Sequence, residues 1–333
     1  SGNLGVRGGG ASYYFARRAA FDTDFGFEVP ESPRTLAETL LGQEILNATE
    51  PPIKVTWVTA GNPVAMLPDS LTVRRALKKT FTIVVDTHPT DTTDVADIVL
   101  PTLTLLEDED LLGAYGNHYL RASRPAIKPP PGPRHELEIW QEIATRVGLA
   151  DLMKGSLQDW KRRATQRLEQ AGIPLERIEK GPVRSPFASE ILFEKKRFAT
   201  SSHKAQLLNR PPVPAPVTTA DFPLTLLAVS TPDSQSSQWT TERPDGPAEV
   251  FVHPSSAAGI ADGVQARLVS AIGEMPVTVR HDNQQRPDVA HMAKGGQLRD
   301  GRCANVLVQA VETDHGGGAA YYDQGVRLEA SLQ

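Results

Sequence analysis

The most regular succession of apolar runs and helical patterns in the chain lies between residues 54 and 101. A β-branched and aromatic run over residues 54–59 stops at the turn signal Gly61-Asn62-Pro63. Apolar positions with helical spacing follow it, and residues 81–85 and 98–100 then form two further apolar runs. This succession predicts a βαβ unit whose strands belong to a parallel sheet.

Polar residues follow two of these predicted strands. Gly61 and Asn62 come after the first strand, and Asp86 and Thr87 come after the second. Ligands of open α/β sheets bind beyond the carboxyl ends of the strands. The pattern alone therefore predicts a binding edge at these residues.

A different pattern begins at Pro223, where short apolar segments alternate with Gly, Asp and Asn. The predicted strands are LTLLAVS, AEVFVHP, ARLVSAIG, MPVTVRHD, ANVLVQAVE and VRLEA, spaced as in a β-barrel or sandwich. Residues 174–222 are rich in proline and are predicted to be irregular, with RPPVPAPV at 210–217 as the clearest linker. We therefore predict an α/β domain over residues 1–173, a linker over 174–222 and a β-domain over 223–333.

Three further helices are predicted in the α/β region, over residues 36–46, 135–148 and 156–170. The second of them follows the extended arm PPPG at residues 129–132, and residues 113–117 are predicted to be a loop. Glu136 falls in the first turn of that helix, where the helix dipole favours an ionised carboxylate.

Composition and charge exclude several classes of function. The 333 residues carry a net charge of -5 and no basic stripe, which argues against nucleic-acid binding. No apolar run approaches the roughly 20 residues of a membrane span. The only cysteine, Cys303, rules out an internal disulfide, a four-cysteine zinc site and an iron–sulfur cluster held by this chain alone, and it is expected to be a buried hydrophobe rather than a nucleophile.

Two short motifs suggest chemistry but favour simpler interpretations. Residues 107–110, EDED, lack the alternating spacing and the glycine of a calcium loop, so a solvated or cation-neutralised turn is favoured over a metal site. The N-terminal SGNLGVRGGG lacks the lysine and hydroxyl of a phosphate loop, so a flexible turn is favoured over phosphate binding. We assign no catalytic and no metal-ligating residue.

Four segments in order carry a resemblance to a known family: TAGNP, IVVDTHPTDTTDVADIVLPTLTLLEDEDLLGAYGN, KPPPGPRHELEIWQEIATRVGL and VFVHPSSAAGIADGVQARLVSAIGE. They resemble the C-terminal half of the molybdopterin-dinucleotide oxidoreductases, the group that includes dimethyl sulfoxide reductase, formate dehydrogenase and nitrate reductase. The resemblance covers nearly the whole chain and is firmest over residues 54–149 and 223–312. It implies an α/β fold, part of a doubly wound nucleotide-binding domain, followed by a C-terminal double-psi-type β-barrel.

The resemblance also implies a site for molybdopterin guanine dinucleotide. Asn62 matches a cofactor-contacting asparagine, Val85 and Asp86 match the pair at the second strand end, and Asn305 matches an asparagine that reaches the pterin. Glu136 matches an acidic residue, and a carboxylate there can accept the N1–H and exocyclic amine of guanine together. The complete implied set is Gly61, Asn62, Pro63, Val85, Asp86, Thr87, Glu136, Ser230, Thr231, Ser234, Gln235, Ser236, Ser237, Gln238 and Asn305.

The segment STPDSQSSQW, residues 230–239, matches the family's polar loop around a pterin and its phosphates, and its hydroxyls and backbone N–H groups suit phosphate oxygens. One position departs from the pattern. Several family members carry a cofactor-contacting lysine where this chain has Asp108, and two anions would repel each other, so we expect no phosphate contact from Asp108.

The implied function is that of a cofactor-binding C-terminal portion of a molybdenum or tungsten oxidoreductase. Two dinucleotides would share one metal, whose ligand and any iron–sulfur cysteines would belong to a missing N-terminal half of the same polypeptide, so this chain alone is expected to be inactive. An iron–sulfur electron-transfer subunit and a small-molecule substrate are the other expected partners. The chain begins at Ser1, any export signal would lie upstream, and no compartment is predicted.

Two other functions remain open at this stage. The alternative is a structural subunit of an electron-transfer complex that has the same fold but has lost the cofactor. A nicotinamide dehydrogenase is disfavoured, because no G-x-G-x-x-G follows a predicted strand.

Overall fold

The computed structural model describes residues 2–9, 20–22, 34–113, 117–207, 209, 217–239, 246–294, 296–314 and 316–331. The chain forms two compact units, Ser1–Glu31 with Thr102–Val213 and Ser32–Pro101 with Pro214–Gln333. These units are defined by packing, and the domain boundaries at residues 173 and 222 remain predictions from the sequence.

The α/β part of the second unit follows the predicted pattern. It contains β1 (Val55–Thr59), β2 (Phe81–Asp86) and β3 (Ile98–Pro101) with α1 (Leu41–Asn47), α2 (Pro63–Met66) and α3 (Ser70–Lys79). The three strands form a parallel sheet in the order β1-β2-β3. The predicted βαβ arrangement is therefore confirmed.

The helix α3 is held by a cap at one end and by an apolar face along its length. Asp69 accepts a hydrogen bond from the Thr72 N–H and so satisfies one of the open donors of the first turn. Val73, Ala76 and Leu77 are buried on one face. They pack with α1 and α2 in one apolar cluster. The helix predicted over residues 36–46 begins later, at Leu41, after a 3-10 turn at Glu38–Leu40.

In its described residues, the first unit has a small antiparallel sheet and four α-helices. β4 (Leu111–Gly113), β5 (Tyr119–Ala122) and β6 (Val183–Arg184) pair in that order. The helices are α4 (Glu136–Arg146), α5 (Leu157–Ala164), α6 (Gln166–Gln170) and α7 (Leu175–Lys180). Leu120, Leu168 and Ile178 belong to its apolar core. No helix among the described residues is long and apolar enough to cross a membrane.

Several predictions for this region need correction. The helix predicted over 156–170 is interrupted at Thr165, whose Oγ1 donates to the carbonyl oxygen of Lys161. The prediction of irregular structure from residue 174 misses α7 and β6. Both elements are short and lie in a proline-rich sequence, although α7 buries Leu175 and Ile178. Residues 114–116 of the predicted loop and 210–216 of the predicted linker lie outside the described residues.

The C-terminal part of the second unit is a closed six-stranded barrel. Its elements are β7 (Leu224–Val229), a hairpin of β8 (Ser234–Gln235) and β9 (Gln238–Trp239), β10 (Ala248–Val252), β11 (Gln265–Val269), β12 (Glu274–His281), β13 (Val289–Ala293) and β14 (Gly325–Ala330). The barrel closes in the order β10-β12-β11-β14-β7-β13, with parallel pairs β10–β12 and β13–β7. The predicted α/β fold with a C-terminal barrel is therefore confirmed.

Two strand assignments in the barrel were wrong. ANVLVQAVE is not a strand, because Ala304–Val306 forms a 3-10 turn and the N–H of Leu307 donates to the carbonyl oxygen of Ala304. A short continuous apolar run does not distinguish a strand from a buried turn. The sixth barrel strand, β13, was not predicted, because its sequence VAHMA has no alternation of apolar and polar residues.

Gly296 lies at a close approach of two backbones in the barrel. A Cβ added there would lie 2.2 Å from the carbonyl oxygen of Arg302, which is backbone and cannot rotate away. We expect Gly296→Ala to lower the free energy of unfolding by about 2 to 4 kcal/mol through this steric overlap, measured by denaturant unfolding. Gly181→Ala is the control, because a Cβ there would meet nothing within 4 Å. Equal stability of the two variants would contradict the close approach.

Candidate functional site

The carboxyl ends of β1 and β2 meet at one edge of the sheet, as the sequence predicts. Thr59 pairs with Val85, and the N–H of Ala60 donates to the carbonyl oxygen of Val85 over 3.1 Å. Ala60 adopts a left-handed φ of 51°, whereas Gly61 does not. This turn directs the chain from the sheet into α2, with Asn62 at the junction.

Asn62 is nearly fully buried, and its side chain does not cap α2. Its Oδ1 instead accepts hydrogen bonds from the N–H of Thr92 at 3.2 Å and from the Thr92 hydroxyl at 2.8 Å. Because a backbone N–H can only donate, this contact fixes which amide atom is oxygen. The Nδ2 of Asn62 is buried and has no acceptor among the described residues.

The partner of Asn62 is itself held by a buried carboxylate. Asp91 precedes Thr92, is 3% exposed, and accepts hydrogen bonds from the N–H groups of Leu298 and Arg299 in the barrel sequence. Burial raises the pKa of Asp91, and the two N–H donors oppose that rise. Asp91 therefore fixes the loop that carries Thr92, and Thr92 in turn orients the side chain of Asn62.

Asp86 and Thr87 lie at the second strand end in a more exposed position. The Oδ1 of Asp86 accepts from the N–H of Thr87 at 2.7 Å and from that of His88 at 3.4 Å. The Thr87 hydroxyl lies 2.8 Å from the Nδ1 of His88. The side chain of Val85, by contrast, is buried in the core. Its carbonyl oxygen accepts a hydrogen bond from the N–H of Ala60.

The end of α2 is clamped by two residues from the barrel sequence. Nδ2 of Asn305 donates to the carbonyl oxygens of Ala65 at 2.8 Å and Met66 at 2.9 Å. The hydroxyl of Tyr321 donates to the same Met66 oxygen at 2.8 Å. Because both partners of Asn305 are carbonyls, its amide nitrogen is occupied and its Oδ1 is the atom left to accept a hydrogen bond.

Asn62 and Asn305 therefore lie at the two ends of one four-residue helix that begins at Pro63. Asn62 offers a donor, and Asn305 offers an acceptor. The structure thus brings together two residues that are 243 positions apart in the sequence. Neither Thr92 nor Tyr321, which hold this arrangement, was predicted.

The polar loop after β7 forms a hairpin fixed by its own side chains. Ser234 is buried and its hydroxyl donates to the carbonyl oxygen of Lys294 at 3.1 Å. Thr231 and Ser234 share a hydroxyl–hydroxyl contact of 2.9 Å, and Ser230 donates to Gln235 at 2.7 Å. Between β8 and β9 lie Ser236, with a left-handed φ of 53°, and Ser237, followed by the exposed Gln238.

A cavity of about 120 Å³ joins this loop to the end of α2. Two of the predicted residues, Ser236 and Asn305, line it together. Three polar residues that were not predicted, Lys294, Tyr321 and Tyr322, line it as well. Its remaining walls are Ala65, Met66, Ala228, Gly296, Ala304 and Val308.

Glu136 belongs to the other unit and begins α4 as predicted. The helix is capped by His135, whose Nδ1 accepts from the N–H of Leu137 at 3.0 Å. Glu136 is half-buried and shares the first turn with the exposed Glu138. The turn therefore presents two carboxylates with the same relation to the helix dipole.

Two of the four carboxylates in the acidic run at 107–110 have a basic partner, and the lysine partner of Glu109 fits the favoured interpretation of a cation-neutralised turn. Asp108 lies 3.4 Å from Nε2 of His135, and Glu109 lies 3.1 Å from Nζ of the buried Lys161. Burial raises the pKa of Asp108, and His135 opposes this rise. No three His, Cys, Asp or Glu side chains of the described residues converge on a metal-binding group.

Cys303 is buried next to Ser70, whose hydroxyl lies 3.3 Å from its sulfur. Burial raises the pKa of the Cys303 thiol to about 11. A thiol in this state is a poor nucleophile near neutral pH, so its predicted role as a small buried hydrophobe is confirmed.

Two family models match the chain. Residues 33–146 match the molybdopterin oxidoreductase model, and residues 230–325 match the molybdopterin dinucleotide-binding domain model. The first range contains Asn62, Asp86 and Glu136, and the second contains the polar loop and Asn305.

Similar proteins include the probable oxidoreductase YyaE of Bacillus subtilis, 27% identical over 99% of this chain and 53% of that protein. The assimilatory nitrate reductase of Haloferax mediterranei is 28% identical over 72% of this chain and 37% of its own length. Acetylene hydratase from Pelobacter acetylenicus shares the fold, with a TM-score of 0.69, 18% identity, and coverage of 99% of this chain and 52% of that one. The chain spans about half the length of the first of these relatives.

Proposed function

The chain belongs to the molybdopterin oxidoreductases of the dimethyl sulfoxide reductase family, and from this premise we propose that it clamps the dinucleotide form of the cofactor in a larger enzyme. The cofactor is a molybdopterin. We propose further that the cofactor is the guanine dinucleotide and that two such dinucleotides share one metal. Another part of the polypeptide would supply the protein ligand of that metal. An iron–sulfur cluster and an electron-transfer subunit would also lie outside this chain.

The observation that carries the proposal is the buried Nδ2 of Asn62, which has no acceptor among the described residues. A buried donor without an acceptor costs about 1 to 3 kcal/mol, so such atoms are rare in proteins unless a ligand completes them. The atom lies at the carboxyl edge of a parallel sheet, where ligands of this fold class bind. The residues present therefore fit a polar ligand at this edge.

Other contacts of the second unit support the same ligand. Oδ1 of Asn305 can accept a hydrogen bond from a pterin ring N–H. The hydroxyls of the polar loop are held in a fixed hairpin, and hydroxyls and backbone N–H groups of such loops bind phosphate oxygens. For the first unit, taken by itself, we propose that Glu136 accepts the paired donors of guanine.

When bound, the cofactor supplies the oxygen-atom or electron and proton transfer at its metal, and the protein supplies binding, orientation and electrostatics. In this chain, Asn62 and Asn305 would orient the pterin from the two ends of α2. Asp91, Thr92 and Tyr321 would hold those two asparagines in position. No side chain of this chain is assigned to the chemical step.

The test is to measure molybdenum or tungsten and guanine nucleotide in the full-length protein purified from its source. We expect metal together with guanine nucleotide released on heat denaturation, at two nucleotides per metal. Protein that is folded but contains neither metal nor pterin would favour the alternative, a structural subunit that has lost the cofactor. Metal with a different nucleotide would contradict only the guanine assignment.

A further inference from the structure

The cavity between the polar loop and the end of α2 has an unbalanced charge. Lys294 is the one cationic residue that lines it, and none of the described lining residues is acidic. Lys294 makes no ion pair with any described residue. The residue is half-buried.

The backbone of Lys294 is fixed at the mouth of the barrel. It follows β13 directly, its N–H donates to the carbonyl oxygen of Val229 at 2.9 Å, and its own carbonyl oxygen accepts from Ser234 at 3.1 Å. Lys294 is therefore tied both to the end of β7 and to the polar loop that the family resemblance matches to the pterin and its phosphates. Its backbone position is set by the barrel, and the residue lines the cavity.

The lining of the cavity offers both hydrogen-bond donors and an acceptor. Lys294 and the hydroxyl of Ser236 can donate, whereas Asn305 has only its Oδ1 free to accept. A ligand that suits this lining has an anionic group for Lys294 and an N–H group for Asn305. A dinucleotide pterin has both, because its diphosphate is anionic and its ring carries N–H donors.

We propose that Lys294 binds a phosphoryl oxygen of the cofactor's diphosphate and is the main cationic contact that this unit makes with it. This inference rests on the proposed function. A lysine ammonium acts on phosphate as a compact charge with three donors, and a charge-assisted hydrogen bond of this kind is about twice as strong as a neutral one. The lysine would therefore contribute to binding of the phosphate part of the ligand and not to recognition of the base.

The test uses full-length protein produced without cofactor, with GDP, guanosine and inorganic phosphate as probes in isothermal titration calorimetry. We expect Lys294→Met to weaken GDP binding by about tenfold or more, to leave guanosine binding unchanged, and to make GDP binding less sensitive to salt. Lys294→Arg should keep most of the GDP affinity. Lys78→Met, which removes an exposed lysine from α3, is the matched control and should have no effect.

The outcomes separate the two proposals. If wild-type protein binds neither GDP nor guanosine, both the proposed function and the role of Lys294 are wrong. If it binds GDP and Lys294→Met binds it equally well, only the role of Lys294 is wrong. Wild-type binding of inorganic phosphate as tight as that of GDP would identify a free-phosphate site instead. The thermal midpoint of the cofactor-free variants should equal that of wild type, and a lowered midpoint in both Lys294 variants with unchanged GDP affinity would indicate a structural lysine.

Discussion

Replacement of Asn62 by leucine should reduce the molybdenum and pterin content of the full-length protein to less than about a tenth of the wild-type value. The change removes a buried donor that has no acceptor among the described residues, and it places an apolar group where a ligand acceptor would lie. A buried ligand acceptor left without its donor costs about 1 to 3 kcal/mol, and about 1.4 kcal/mol corresponds to tenfold in affinity. Metal analysis and pterin fluorescence after oxidation measure the effect.

Thr92→Val is the matched control for this prediction. Both variants lose the 2.8 Å contact between the Thr92 hydroxyl and Oδ1 of Asn62, but only Asn62→Leu loses the Nδ2 donor. Thr92→Val keeps the backbone N–H that donates to Oδ1 of Asn62, so it should keep most of its cofactor. It should lower the free energy of unfolding by about 1 to 3 kcal/mol, because the buried N–H of Val64 loses its hydroxyl acceptor. Equal cofactor loss in the two variants would show that the packing of this edge, and not the donor, determines retention. A second control, Asn283→Leu, changes an exposed asparagine in a turn and should change neither quantity.

The periodic parts of this structure could be predicted from the sequence, because periodicity reports burial. The runs at β1, β2 and β3 are apolar since the parallel sheet buries them, and Gly61 and Asp86 mark the ends of two of these strands. Five of the six barrel strands carry a recognisable pattern. The sixth, β13, pairs with β7 some 60 residues earlier, and its sequence VAHMA carries no sign of that partner.

The contacts that build the candidate site could not be predicted in the same way. Thr92 reaches Asn62 across 30 residues, and Asn305 reaches Ala65 across 240. Such contacts depend on how the loop after β2 and the turn after β13 are placed by the barrel, and no local spacing encodes that placement. Resemblance to a family identified Asn62 and Asn305, but it gave neither the partner of Asn62 nor the cation at Lys294.

The ion pairs of the acidic run could be predicted in part. The spacing of the four carboxylates at 107–110 favoured a solvated or cation-neutralised turn over a metal site. In the structure, Asp108 lies next to His135 and Glu109 next to Lys161. Neither partner could be chosen from the sequence, because several other basic residues lie nearby along the chain. Since Asp108 pairs with His135, the residue next to Glu136, the acidic turn also fixes the start of α4.

Replacement of Glu136 by glutamine should abolish the preference of the cofactor-free full-length protein for GDP over IDP. Inosine lacks the exocyclic amine of guanine, so a carboxylate that accepts both guanine donors should favour GDP by about tenfold or more. Glutamine keeps the size of the side chain but replaces one acceptor oxygen with a donor NH₂, which would face the guanine N–H groups. Titration calorimetry with both nucleotides measures the preference.

Glu138→Gln tests whether the effect belongs to guanine recognition or to the helix. Both residues lie in the first turn of α4, so each substitution removes a negative charge that the helix dipole favours by a few tenths of a kcal/mol to about 1 kcal/mol. Only Glu136→Gln should change the GDP-to-IDP ratio. An unchanged ratio in Glu136→Gln would leave Glu136 as a first-turn acid and require another group to select the base. A changed ratio would identify Glu136 as the guanine acceptor, since the two variants are otherwise matched in charge and helix position.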